Sequence, residues 1–168
     1  MFLWGFACIG NSNALARMGE TIAQCDRRYG PPVSTNQSLG VLPGVPTRTY
    51  KYHGWRITAA FVQGRAAVLS YSKSSIARIQ DDELAAILKS ETYGGTWKRK
   101  RQYSWNPTKN LQNLLTHPKV WSKTNGTIAY FSNPMYDNLI VEAPIAQKYR
   151  EAKDKAAEER RKASIPAF

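Results

Sequence analysis

Between residues 47 and 73 the chain reads TRTYKYHGWRITAAFVQGRAAVLSYSK, and no other stretch limits its possible folds as sharply. Tyr50 and Tyr52 alternate with polar neighbours. Trp55, Ile57, Ala59 and Phe61 alternate with Arg56 and Thr58, and Ala67, Leu69 and Tyr71 repeat the pattern. A period of two sends successive side chains to opposite faces of an extended strand. His53-Gly54 and Gln63-Gly64 punctuate the runs, and such glycine pairs suit tight turns. The stretch predicts a three-stranded antiparallel meander with one face buried.

Helical patterns flank it. Met18, Ile22, Cys25 and Tyr29 are spaced by 4, 3 and 4 residues, one helical stripe. Gly30 can take a left-handed cap and Pro31-Pro32 cannot continue a helix, so the spacing predicts a helix over 18–29. Further on, Ile79 and Leu84 are placed as a hydrophobic staple around a helix start. Asp81, Asp82 and Glu83 suit the positive end of that helix, Leu84, Ile87 and Leu88 form its stripe, and Gly94-Gly95 stops it.

Strands follow again. TWKRKRQYSW alternates, with Trp97, Arg99, Arg101, Tyr103 and Trp105 on one face. KVWSKTNGTIAYF contains the hairpin signal Asn125-Gly126, and DNLIVEA supplies a last strand. YKYHGWRITAAF at 50–61 matches WSKTNGTIAYF at 121–131 by pattern, about 71 residues apart. The expected fold is α+β. Two tandem helix-plus-antiparallel-meander repeats, 17–75 and 76–143, pack their helices on one sheet face. Residues 144–168 form a charged helix and tail, with Ile145 and Tyr149 as its docking side chains.

This architecture resembles the beta-lactamase-inhibitor-protein-like fold across about residues 17–143. It is also similar to half-size bacterial envelope domains of the outer-membrane assembly lipoprotein class. GETIAQCDRRYGPP resembles the opening of many small exported bacterial proteins. The inhibitor resemblance implies a concave sheet face, here rich in Trp and Tyr, that receives a partner protein. No functional residue carries over with it.

The compartment turns on the first residues. Residues 1–16 carry no charged side chain, and the apolar MFLWGFACIG leads to Ala14-Leu15-Ala16. Small side chains three apart after an apolar run suit a signal peptidase, which predicts a leader over 1–16 cut before Arg17. No Lys or Arg precedes Phe2, as if the leader were truncated at its front. A Cys8 lipoprotein lacks the usual Leu three residues before the Cys. The competing reading is a buried N-terminal strand in a cytoplasmic protein. No run reaches the roughly 18 apolar residues of a membrane span, and Cys8 and Cys25 make no disulfide framework.

The chemistry on offer is charge. Lys and Arg number 24 against 12 Asp and Glu, a net of +12, which favours anionic partners. Residues 91–125 hold seven Lys/Arg and one Glu. His53 and His117 have no motif neighbours, no Cys/His pair has metal-ligand spacing, and neither phosphate loop nor nucleophile elbow occurs. Cys25 reads as a reactive thiol or as a small core residue. Neither an enzyme nor a cofactor is expected.

Basic residues interleaved with aromatics over 97–105 have two readings. They bind a polyanion or a protein partner, the aromatics stacking and the cations pairing. Alternatively the aromatics pack on the core, arginines lie over them, and charge guards a sheet edge. The expected function is an exported, non-enzymatic protein-binding or envelope structural module. The alternative is a polyanion- or nucleic-acid-binding protein using the 97–105 strand.

Overall fold

The computed structural model describes residues 17–36, 41–75, 77–91, 95–100, 120–132 and 138–164. In chain order these form α1 (Ile22–Tyr29), β1 (Ser34–Thr35), β2 (Thr47–Tyr52), β3 (Trp55–Val62), β4 (Arg65–Lys73) and α2 (Asp81–Ser90). They continue with β5 (Lys98–Lys100), β6 (Val120–Ser122), β7 (Ile128–Phe131), β8 (Leu139–Glu142) and α3 (Pro144–Ala163). The fold is α+β: three helices and one antiparallel sheet of order β1-β2-β3-β4-β8-β7-β6-β5 among the described residues. No described helix is long and apolar enough to cross a membrane. The expected leader over 1–16, with Cys8, lies outside the described residues, as do Arg101, Tyr103, Trp105, His117 and the tail after Ser164.

The meander forms where the alternation places it. Tyr52 faces Trp55 and Val62 faces Arg65 across two-residue turns. His53 (φ 47°), Gly54 (φ 80°), Gln63 (φ 52°) and Gly64 (φ 74°) all take positive φ. That turn geometry matches the twist of the flanking strands. Asn125-Gly126 also marks a hairpin, but with a longer loop, because Ser122 pairs with Ile128. Only Gly126 is left-handed there, and the Asn125 side chain accepts from the Thr127 amide at 3.1 Å. The two sets of strands meet through their last members, β4 against β8, from Val68↔Glu142 to Tyr71↔Leu139.

Helix ends depart from the expected ones. α1 begins at Ile22 rather than residue 18, since Gly19 turns the chain at φ 82° and Thr21 caps the helix. Thr21 Oγ1 accepts from the Gln24 amide at 3.3 Å, and Gln24 Oε1 accepts from the Thr21 amide at 2.7 Å. This reciprocal pair satisfies two terminal amides. Met18 is buried all the same. α2 starts as expected: Ile79 and Leu84 are both buried, and Glu83 accepts from the Gln80 amide at 2.7 Å. It stops at Ser90, ahead of the glycines, because Glu91 leaves helical geometry at ψ 64° and sends its side chain inward.

Register assigns the sheet faces. One packs Tyr50, Ile57, Phe61, Leu69, Tyr71 and Leu139 against Cys25 and Tyr29 of α1 and Leu84 and Ile87 of α2. The other packs Ala60, Val62, Val68 and Ile140 against Leu42, Val45 and Ala146 of α3. So α1 and α2 share a face, and α3 docks on the opposite one. Ile145 and Tyr149 pack there, the Tyr149 hydroxyl donates to the Gly44 carbonyl at 3.2 Å, and Lys153 donates to that of Pro43 at 3.0 Å. Beyond Lys153 the helix is exposed, apart from half-buried Glu158.

Candidate functional site

β5 is the last strand of the described sheet and pairs with β6 alone, through Lys98↔Ser122, Arg99↔Trp121 and Lys100↔Val120. Lys98, Arg99 and Lys100 are all exposed. Of the five residues expected to form one binding face, Trp97 and Arg99 are described. They divide at the surface. Trp97 is half-buried against the α1/α2 core, and its indole N–H donates to the Leu88 carbonyl at 2.8 Å. Its ring lies 4.5 Å from the ammonium of Lys123. The cation over the core aromatic is thus Lys123, where the sequence pattern pointed to an arginine of the strand itself. Arg99 points its charge to solvent.

A buried polar cluster supports this edge from below. Glu91 is 1% exposed. One carboxylate oxygen accepts from the Met18 amide at 2.9 Å and the other from the Tyr71 hydroxyl at 2.8 Å. Lys123, also buried, donates to the Glu91 main-chain carbonyl. A cation there satisfies a carbonyl that the end of α2 leaves open and complements the helix dipole. Burial raises the Glu91 carboxyl to about 7, against the Met18 and Tyr71 hydrogen bonds and the Lys123 charge, with Glu20 raising it further. Burial also lowers the Lys123 ammonium, which Glu91 partly restores. The cluster joins the segment before α1, β4, the end of α2 and the β6–β7 turn. The sequence carried one weak signal for it: a lone Glu within a basic stretch.

Three other carboxylates on the helix side are also paired. Glu20 meets Arg28 at 2.5 Å, Asp26 accepts from the Tyr50 hydroxyl at 2.9 Å and pairs with Arg48, and Glu83 meets Lys73 at 2.8 Å. Glu83 belongs to the acidic first turn of α2, where this ion pair and the Gln80 amide hold it below the usual carboxylate range. Cys25 is fully buried, and burial, with Glu20 and Asp26 nearby, pushes its thiol up to about 12. It is a core residue with little thiolate to react. His53 sits in the β2–β3 turn edge-on to the Tyr52 ring, 4.2 Å between centroids. No three His, Cys, Asp or Glu side chains converge as a metal site among the described residues.

By register, the sheet face that carries most of the described Trp and Tyr residues is the α1/α2 side. Tyr52, Trp55, Trp121 and Phe131 pack against the core under α1 and α2. Large apolar rings gain most where helices cover them. The uncovered part of the sheet carries hydroxyls and cations instead. No protein-family model matches the chain, and neither a curated protein nor a solved structure shows significant similarity to it.

Proposed function

We propose that the protein is a non-catalytic binding module that engages an anionic partner through the β5 edge. The observation that carries this reading is three consecutive exposed cations on the terminal strand of the described sheet. That strand is held in place by Trp97 bonded to Leu88 and stacked under Lys123. A rigid basic edge needs little ordering on association, which favours affinity. With Trp97 turned inward, the described part of the edge, Lys98–Lys100, offers charge without an aromatic stacking platform, so sequence-specific reading of nucleic acid is not expected. A second reading keeps the same edge and makes the partner an acidic protein strand, since an end strand presents main-chain groups for pairing. The apolar start followed by Ala14-Leu15-Ala16 supports export of the module, as in an envelope protein.

The test is a salt titration of binding to heparin, comparing the parent with Lys98→Gln/Arg99→Gln. We expect weaker binding and a shallower dependence of log affinity on log salt, by about 0.7 for each cation removed. Equal affinity and equal slope would overturn the reading. Mass spectrometry of protein from its native cell checks the export part, with a mature chain starting at Arg17 as the expected result.

A further inference from the structure

Lys51 and Arg56 stand directly opposite each other in the β2–β3 register, and both are exposed. Like charges at such positions, with Cβ atoms roughly 5 Å apart, repel. Neither has a carboxylate in ion-pair reach among the described residues. The registers carry their face across the whole sheet. Arg56 pairs with Ser72, Ser70 with Ile140, Ile140 with Tyr130, Tyr130 with Val120 and Val120 with Lys100. Lys51 and Arg56 therefore share one face with Lys98 and Lys100, the face opposite α1 and α2. α3 covers the part near Ala60 and Val68, leaving the end toward Arg56 and Ser72 clear of it.

Between the two cationic ends the row level with Arg56 is polar, with half-buried Ser72, Asn138 and Ser132, while the row beside it is largely apolar, Ile140 and Tyr130 packing toward α3. Thr49 and Thr58 share a hydrogen bond at 3.1 Å, and Ser70 donates to Asn138 at 2.5 Å. The acidic strand residue on this face, among those described, is Glu142, which is 4% exposed and paired with Arg150. The strand order separates β3 from β5 by five spacings of about 4.8 Å, or about 24 Å. We infer that this face is a track for an extended chain of tetrahedral oxyanions, phosphate or sulfate esters, running from the β5 edge to a second anion clamp at Lys51 and Arg56. Tetrahedral oxyanions suit the site because they bridge neighbouring cations while accepting from hydroxyls. The inference rests on the β5 edge reading and names its ligand class and second contact.

Binding of long-chain polyphosphate, tripolyphosphate, heparin and a single-stranded oligonucleotide to three proteins tests it: the parent, Lys51→Gln/Arg56→Gln and Lys98→Gln/Arg99→Gln. The Lys51/Arg56 sites are exposed, so the variants fold, and circular dichroism confirms it. We expect the parent to prefer the long polymers over tripolyphosphate. The Lys51→Gln/Arg56→Gln variant should lose at least tenfold in affinity for a long polymer, with a salt slope shallower by about 1.4 (about 0.7 per cation), and lose the length preference. The tighter of polyphosphate and heparin then identifies phosphate or sulfate as the recognised group. Parent-like binding by this variant, while Lys98→Gln/Arg99→Gln is impaired, would overturn the track and leave the β5 reading standing. Unimpaired binding by both variants would overturn both. An oligonucleotide bound more tightly than either polymer at equal salt would overturn the track in favour of base recognition.

Discussion

The two faces of this sheet are written in the same letters, one residue out of step. On the α1/α2 face lie Trp55, Ile57, Leu69, Tyr71 and Leu139, with Glu20, Asp26, Glu83 and Glu91 all paired or hydrogen-bonded. On the other lie Lys51, Arg56, Thr58, Ser72, Lys98 and Lys100 beyond the reach of α3. Residues adjacent in sequence, Trp97 and Lys98 above all, therefore do unrelated work. The first is a bolt under the sheet, bonded to α2; the second is surface charge. A mixed basic and aromatic strand is read correctly only once its two parities are separated.

The widest contrast is in stability. Leu139 is fully buried on the α1/α2 face, and Leu139→Ala should cost about 2–5 kcal/mol. Thr58, half-buried on the other face, should cost less than about 1 kcal/mol on conversion to Ala, part of it the hydrogen bond to Thr49. Urea melts of the two variants measure both values, and similar costs would erase the distinction between the faces.

The second test asks what a buried carboxylate contributes to the covered face. Folding holds the Glu91 carboxyl at about 7, above its usual 4.5, so between those values the folded chain binds more proton than the unfolded one. Its contribution is fully present below about 4.5 and is lost as pH rises to about 7. Glu91→Gln keeps an acceptor but cannot ionise. Relative to that variant, the parent should lose on the order of 2 kcal/mol between acid and neutral pH. Denaturant melts across the range check it, and parallel pH profiles would show that Glu91 stays ionised.

The smallest effect belongs to Tyr29. Its hydroxyl is buried on the covered face without a hydrogen-bond partner, and burial pushes its ionisation far above the ordinary tyrosine range. Tyr29→Phe should be neutral or stabilising by up to about 1 kcal/mol, since it removes an unsatisfied polar atom. A thermal melt showing clear destabilisation would mean that the hydroxyl has a partner in solution.

Much of the architecture was legible because it rests on local rules. Alternation over 50–71 and the His53-Gly54 and Gln63-Gly64 turns specify the meander without distant help, and the Ile79–Leu84 staple sets the start of α2. The site was half legible. Alternation separates core-side Trp97 from exposed Lys98, but Arg99 shares the Trp97 parity and is exposed all the same. Lys123 and Glu91 were hidden, because 32 residues separate them and the β6–β7 turn brings them together. The end of α2 was misjudged for the same reason: Glu91 is drawn inward by Met18 and Tyr71, partners that no local pattern names.

The junction of β4 with β8 has a consequence in time. Ser70 and Ile140 are register partners, 70 positions apart along the chain. Synthesis at roughly 5–20 residues per second separates their emergence by several seconds. During that interval β2, β3 and β4 can pair with one another, but β4 keeps a bare edge bearing Val68, Leu69 and Tyr71, all destined for burial. Another nascent copy offers the same edge. Non-local closure of this kind is slow, and an open apolar edge invites pairing with the wrong strand. The yield of folded protein should therefore fall with concentration during refolding, and a holdase that shields the β4 edge until β8 arrives should restore it.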